Sequence, residues 1–327
     1  MDDKDAIIAF LAENWAEDHI FVRNEEIFLW QYRDPESSRL NFMLAVDDDT
    51  GAIDSLMGYI PTSRFDPALK PDGNIWGAIW KTAEGKGIVG LYVLNKLQKA
   101  LGTNSYSGIG ISKESVEIYK ILKYAMGDME HYYIPAGDRP LTIMSSPDTG
   151  LPEQRHPSAR LERTVPERLR TLGVPSQGNP AKSPEYLYNR FANHPVYQYR
   201  FDTVFEGQAP VAVIVSRVNT VAELNASCLR IVDWYGDCFR PLDYREELAR
   251  ICRELRCEYV DLVCKTETDR CFTGHGFKLK DAKTETVPNY FEPFVKENIR
   301  LQYVYHGVHD AFRFFRGDAD QDRPNRI

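Results

Sequence analysis

The sequence predicts an α/β (α+β) protein of two domains, each a mixed sheet flanked by helices. Three observations carry this. The chain has 327 residues, and domains usually run to about 100–200. Nine of the 19 prolines fall within residues 135–184, where an even spread would place about three. Each proline removes an amide donor and fixes φ, so regular structure is interrupted there. The order of elements before that stretch also recurs, more loosely, after it. The division is therefore 1–137, a Pro-rich connection at 138–183, and 184–327. Leu161–Leu172 carries helical spacing, so the connection is expected to lie down on the protein.

The first part reads in order as helices over Asp5–Trp15 and Asn24–Tyr32, then strands Leu40–Val46 and Ala52–Pro61. Between the strands, Asp47-Asp48-Asp49-Thr50-Gly51 is an acidic, Gly-ended hairpin turn. Asn74–Lys81 is a strand. Gly85-Lys86-Gly87-Ile88-Val89-Gly90 opens a helix running to about Leu101. Ser105–Ile111 is a strand, Glu114–Met126 a helix, and Met129–Pro135 extended. The second part begins with a helix over Pro184–Ala192. Strands Gln198–Phe205 and Val211–Asn219 flank Glu206-Gly207-Gln208. Strand Cys228–Tyr235, helix Tyr244–Leu255 and strand Tyr259–Cys264 follow, then Thr268–Gly276 and Phe277–Leu279. A hairpin, a strand, a helix and a strand thus occur twice, as in a duplication of elements.

Composition narrows the function classes. The net charge is −8, with 43% apolar and 12% aromatic residues. Real cores can form, and a broad nucleic-acid or anionic-membrane surface is disfavoured for want of clustered cation. The longest apolar stretches, Ala6–Ala12 and Gly87–Leu94, are far short of the about 20 residues a membrane helix needs. Met-Asp-Asp-Lys-Asp is acidic where a secretory leader is basic. Six scattered cysteines with no CxxC pair read as reduced thiols of a cytoplasmic protein. His306 and His309 lack the glutamate spacing of a zincin, so no metal is expected.

The glycine loop carries the chemistry. Glycines let a backbone approach a ligand, and a helix start leaves amides unpaired beside a positive dipole end. A phosphate suits that place, with Lys81 and Lys86 adding charge. The alternative is a loop that only lets helix and strand pack closely. Gly85-x-Gly87-x-x-Gly90 also spells the dinucleotide fingerprint, but Thr82-Ala83-Glu84 precede it and the next strand ends without an acid. A Walker loop is excluded because no G-K-[ST] follows.

Here the pattern resembles the GNAT superfamily of acyl-CoA-dependent N-acyltransferases. Two helices, a hairpin and a strand precede a loop of the form [QR]-x-x-G-x-[GA]. Glu84-Gly85-Lys86-Gly87-Ile88-Val89 matches at Gly87, with Glu first and Val sixth, and Gly90 next. Ser112-x-x-Ser115-x-x-x-Tyr119-x-x-x-Lys123-Tyr124 keeps the tyrosine and final aromatic of the following helix motif. Gly276-Phe277 resembles a second G-F ending. The second half has no glycine loop and looks like a GNAT domain without its own CoA site. Two such domains resemble bacterial tandem-GNAT enzymes. Trp30-Gln31-Tyr32-Arg33-Asp34-Pro35, Tyr290–Phe294 and Gly317–Asn325 look more like the branch that acylates nucleotide-linked amino sugars for surface polysaccharide, of the dTDP-3-amino-3,6-dideoxyhexose type.

The resemblance implies attack of an amine on an acyl-CoA thioester. It implies a cofactor site at Gly85, Lys86, Gly87, Val89 and Gly90, with Lys81 beside it and backbone contacts from Ile79 and Trp80. It makes Tyr119 the general acid for the leaving thiolate, the alternative being a core tyrosine beside Val116 and Leu122. His131 and Asp233 are the possible bases. The acceptor is expected between the domains, near Asp233, Trp234 and Asp237, with Arg64 meeting a nucleotide phosphate. The charged tail Asp318–Ile327 is expected to be mobile. The expected function is acylation of a nucleotide-linked amino sugar by a monomer or homodimer that uses no metal and no nucleic acid. The alternatives are an aminoacyl-tRNA-dependent peptidoglycan-bridge transferase, disfavoured because no long basic helix occurs at 138–183, and a non-catalytic nucleotide-binding module.

Overall fold

The computed structural model describes residues 3–147, 150 and 153–325. Pro152 of the proline-rich connection and Arg326 and Ile327 of the tail lie outside them. Three helices come first: α1 (Lys4–Asn14), α2 (Ile20–Arg23) and α3 (Glu25–Tyr32). The His19 and Asn24 side chains accept from the amides of Phe21 and Ile27 and so cap α2 and α3. Strands β1 (Phe42–Val46) and β2 (Ile53–Pro61) form the expected hairpin. In its turn the Asp47 carboxylate accepts from the amides of Asp49 and Thr50. The aspartate run is thus a self-capped turn.

Next come β3 (Asn74–Thr82), α4 (Gly87–Leu101), β4 (Ser105–Ile109), α5 (Lys113–Ile121), β5 (Ala125–Asp128) and β6 (Glu130–Pro135). The helix expected to reach Met126 stops at Ile121. Lys123 turns left-handed (φ 59°) and the Tyr124 amide returns to the Tyr119 carbonyl, which closes the helix end and frees β5 to be a strand. The connection is a second correction. Leu161–Leu172 is no helix: β7 (Arg160–Thr164) pairs with β8, and Pro166–Thr171 is a single 3₁₀ stretch. A sheet edge was available there, and Pro166 has no amide to continue a strand ladder. The remaining elements are α6 (Pro184–Leu187), β8 (Arg200–Glu206), β9 (Ala209–Val221), β10 (Ala226–Gly236), α7 (Arg245–Glu254), β11 (Tyr259–Lys265) and β12 (Lys278–Leu279). Short strands β13 (Tyr290–Phe291) and β14 (Phe294–Val295) pair together, followed by β15 (Gln302–Gly307) and β16 (Phe314–Phe315).

Two mixed sheets share one plan. The first is ordered β1-β2-β3-β4-β15-β5 and the second β12-β6-β11-β10-β9-β8-β7. In each, an antiparallel hairpin meets a third strand, a helix crosses over, and a fourth strand lies parallel to the third. The strand beside each fourth strand is then exchanged. β15, from the end of the chain, lies against β4, while β6, from the first part, lies against β11. The sheets therefore do not separate at residue 137. One apolar cluster runs across both, from Trp76 and Ile109 to Phe191, Val232 and Phe314.

The tail is the third correction. Asp318 and Ala319 are fully buried. Arg190 donates to the carbonyls of Gly317 (2.6 Å) and Ala319 (2.5 Å), and Arg217 holds Asp322. The charges that suggest mobility are paired inside the molecule.

Candidate functional site

β3 and β4 are parallel partners only from Asn74↔Ser105 to Gly77↔Gly108. Beyond that they part. The register of β2 against β3 shifts at the same level, from Gly58↔Ile79 to Tyr59↔Gly77, so Ala78 pairs with neither neighbour. This is a β-bulge, which bends its strand and leaves one residue's backbone free. The opening holds a cavity of about 150 Å³ bounded by Ala78, Trp80, Gly108, Ile111 and Tyr119. The free backbone falls at Ala78, one residue before the expected Ile79. The Ile79 side chain is fully buried in the core, while Trp80 lines the cleft.

At the outer end of β3 lies the glycine loop. Gly85 is left-handed (φ 77°), and a Cβ at Gly85 or Gly87 would meet nothing within 4 Å. Space is therefore open in front of the loop. α4 starts at Gly87, where the first amides have no helical acceptor; the Val89 amide turns back to the Lys86 carbonyl (2.9 Å). Gly90 has a different task, since a Cβ there would strike the Thr82 hydroxyl. It seats the helix on the strand. Lys86 pairs with Asp54 (3.1 Å) and Asp47 (3.8 Å) of the hairpin, which buttresses the loop and neutralises the lysine. Lys81 has no such partner among the described residues.

Tyr119 reaches the cleft from α5. Its hydroxyl lies 2.8 Å from that of Tyr106, and its ring meets Trp80 edge-on. Burial pushes the phenol well above its ordinary range, so it stays protonated and can donate. Gly77 makes room for the pair, because a Cβ there would overlap the Tyr106 hydroxyl.

A second chamber of about 230 Å³ lies between the two halves. Trp15, Ala78 and Gly110 line both chambers, so they meet at the bulge. Its far wall comes from the second half and the tail: Arg217, Arg230, Glu292, Arg316, Asp320 and Arg323. Gln321 packs against Gly110 so closely that a Cβ on Gly110 would lie 2.5 Å from its amide nitrogen. Asp320 pairs with Arg323 at 3.3 Å, and burial raises its carboxyl above the ordinary range. Sequence reasoning missed Trp15, Arg316 and Asp320. The signal available was a polar tail alternating Asp and Arg with small residues, a pattern that also suits a solvated end.

The acceptor-side residues expected from sequence lie elsewhere. Asp233 is fully buried, salt-bridged to Lys182 (2.6 Å) and bonded to the Trp234 amide. Trp234 is core, edge-on to Tyr244 and packed on Phe272. Asp237 caps the Phe239 amide in a turn. Arg64 donates to the Trp30 carbonyl (2.7 Å) and lies over Phe65. His131 is buried, with Nε2 2.9 Å from Asp261, and burial lowers its pKa to about 4. It touches the chamber only through Asp261, which holds Arg230.

The second half explains its missing loop. β10 and β11 also part after Ile231↔Leu262, and Val232 is the bulged residue. That opening is filled from within. β16 pairs with Cys264 and Lys265, the Arg316 amide donates to the Val263 carbonyl (3.0 Å), and the Gly317 amide donates to the Val232 carbonyl (2.6 Å). Among the described residues, no helix is long and apolar enough to cross a membrane, and no group of three or more His, Cys, Asp or Glu side chains could hold a metal ion.

The sequence matches no protein-family model and no curated protein. Solved structures match in fold. A GCN5-related N-acetyltransferase from Anabaena variabilis is similar with a TM-score of 0.54 at 12% identity, over 94% of this chain and 71% of that one. A protein from Enterococcus faecalis described as a probable N-acyltransferase is similar with a TM-score of 0.51 at 10% identity, over 93% and 70%. Such identities establish architecture, and by architecture this chain is built as the GCN5-related N-acetyltransferases are, as two GNAT-like domains of mixed sheet flanked by helices.

Proposed function

We propose that the protein is an acyl-CoA-dependent N-acyltransferase whose acceptor amine enters from the chamber between the halves. The observation that carries this is the meeting of two chambers at Ala78, one lined by Trp80, against which Gly90 of the glycine loop packs, and one walled by charged side chains. The loop fits a diphosphate: Gly85 and Gly87 leave space, α4 offers first-turn amides, and Lys81 forms no ion pair among the described residues. Gly85, Gly87 and Val89 would hold that end, and Trp80 and Ala78 the pantetheine arm. When bound, acyl-CoA supplies an activated acyl group on a thioester.

The chain's own residues then have separate tasks. Ala78, free of both neighbouring strands, presents its backbone where charge would develop on the acyl oxygen. Tyr106 can donate to Tyr119, which leaves the Tyr119 proton free to face the cleft. Trp15 bridges the two chambers, and Asp320 is the carboxylate best placed to take a proton from the amine. The acceptor class we favour is the amine of a nucleotide-linked amino sugar, of the dTDP-3-amino-3,6-dideoxyhexose type. A wall with four arginines suits its phosphates. Such a reaction would belong to surface-polysaccharide assembly in the cytoplasm.

The test is release of free thiol from a panel of acyl-CoAs, offered with dTDP- and UDP-amino sugars. Amine-dependent release with one pair supports the reading. No binding of any acyl-CoA by the folded chain would end it.

A further inference from the structure

Arg316 brings a guanidinium with no hydrogen-bond partner among the described residues into the chamber between the halves. Its backbone is fixed where the tail fills the opening beside β11. The residue is only 7% exposed and lines the chamber. Among the described residues nothing accepts a hydrogen bond from the guanidinium, and Nε is buried without a partner.

The neighbouring charges are already committed. Asp322 accepts from Arg217 (2.8 Å) and from the Tyr199 hydroxyl (2.7 Å). Asp261 accepts from Arg230 (2.5 Å) and faces His131. Asp320 pairs with Arg323. Glu292 accepts from the Tyr197 hydroxyl (2.7 Å) and the Asn325 amide (3.1 Å) and forms no ion pair with Arg316. Burial, aided by Arg230 and Arg217 and opposed by Asp322 and Asp261, pushes the Arg316 guanidinium down to about 9, which still leaves it charged at neutral pH.

A largely buried guanidinium without a hydrogen-bond acceptor forfeits hydration and gains only the through-space attraction of Asp322 and Asp261 in return. Its planar fork of donors matches a carboxylate or a phosphate. We propose that the chamber selects an amine acceptor carrying an oxyanion, and that Arg316 binds that oxyanion. The proposal rests on reading the chamber as the acceptor site. Glu292 on the same wall, which has no ion-pair partner among the described residues, complements it, since a carboxylate favours the cationic end of the same molecule. The acceptor is thus bipolar, and about 230 Å³ suits a small bipolar molecule or one end of a larger one.

Calorimetric titration and thermal melting of the full chain test this, with acetate, glycine, inorganic phosphate and dTDP as probes. The wild type should bind at least one probe and melt higher with it. Arg316→Met should weaken that binding at least tenfold, leave acetyl-CoA affinity unchanged, and melt without ligand no lower than the wild type. Arg316→Gln serves if the methionine variant does not fold. Preference for acetate and glycine identifies a carboxylate; preference for phosphate and dTDP identifies a phosphate. Equal probe binding in variant and wild type, no response of the wild type to any probe, or a lower melting point of both unliganded variants would overturn the assignment. An Arg316-dependent response in a chain that binds no acetyl-CoA would leave the oxyanion site standing and remove the acyltransfer reading. Turnover indifferent to Arg316 would do the reverse.

Discussion

Replacing Gly87 with aspartate separates binding from folding. Gly87 is the first residue of α4, and a Cβ there meets no atom within 4 Å. The helix should accept the new side chain. An acid in the first turn gains about 0.3–1 kcal/mol from the dipole. The melting temperature should therefore hold or rise. Binding should move the other way. Two like unit charges about 4 Å apart repel by about 1 kcal/mol in water and about 4 kcal/mol near a protein surface. With about 1.4 kcal/mol per tenfold, Gly87→Asp should weaken acetyl-CoA binding by about one to three orders of magnitude. Added salt should recover part of the loss, because exposed charges are screened. Calorimetry on wild type, Gly87→Asp and a Gly87→Ala control would measure this. A folded aspartate variant that binds like the wild type would refute a diphosphate at this loop.

Three further outcomes are expected. Tyr119→Phe should lower kcat by about 10²-fold or more with acetyl-CoA affinity unchanged; single-turnover kinetics would read this, and unaltered turnover would make Tyr119 a packing residue. Gly317→Ala should destabilise the fold by about 1–3 kcal/mol in urea unfolding, because the new Cβ would lie 2.7 Å from the Val232 carbonyl. Stability should fall as pH drops from about 6.5 to about 4. Burial lowers His131 and His19 to about 4 and His194 to about 3. The unfolded chain, titrating near 6.5, then binds more protons in that window. Asp318, which burial raises to about 6, opposes this between about 4 and 6 and reduces the slope. A urea midpoint constant from about pH 7 to 4 would contradict the argument.

Much of the fold was legible because local signals sufficed. The 47–51 turn, the strand ending near Thr82 and the helix opening at Gly87 each follow from neighbours in sequence. So does the repeat of hairpin, strand, helix and strand. Tyr119 lies at the cleft as the helix motif suggests. What was not legible depended on distant partners. Nothing near residues 302–307 says that this strand lies against Ser105–Ile109. Asp233 and Trp234 stand at the end of the expected strand, yet Lys182 and Phe272 claim them from far along the chain. The run Asp318-Ala319-Asp320-Gln321-Asp322-Arg323 has the composition of a solvated end. Lys182, Arg190 and Arg217, facing it from earlier in the chain, help make it interior.

The exchange of β15 for β6 also bears on how the molecule is made. Tyr303 and Ile109 are paired across almost two hundred residues. While the ribosome works through that distance, at about 5–20 residues per second, Ser105–Ile109 waits with one ladder edge unsatisfied for roughly ten to forty seconds. An exposed edge of that kind invites pairing with a stranger. That edge is closed only when residues 302–307 emerge and pair with it.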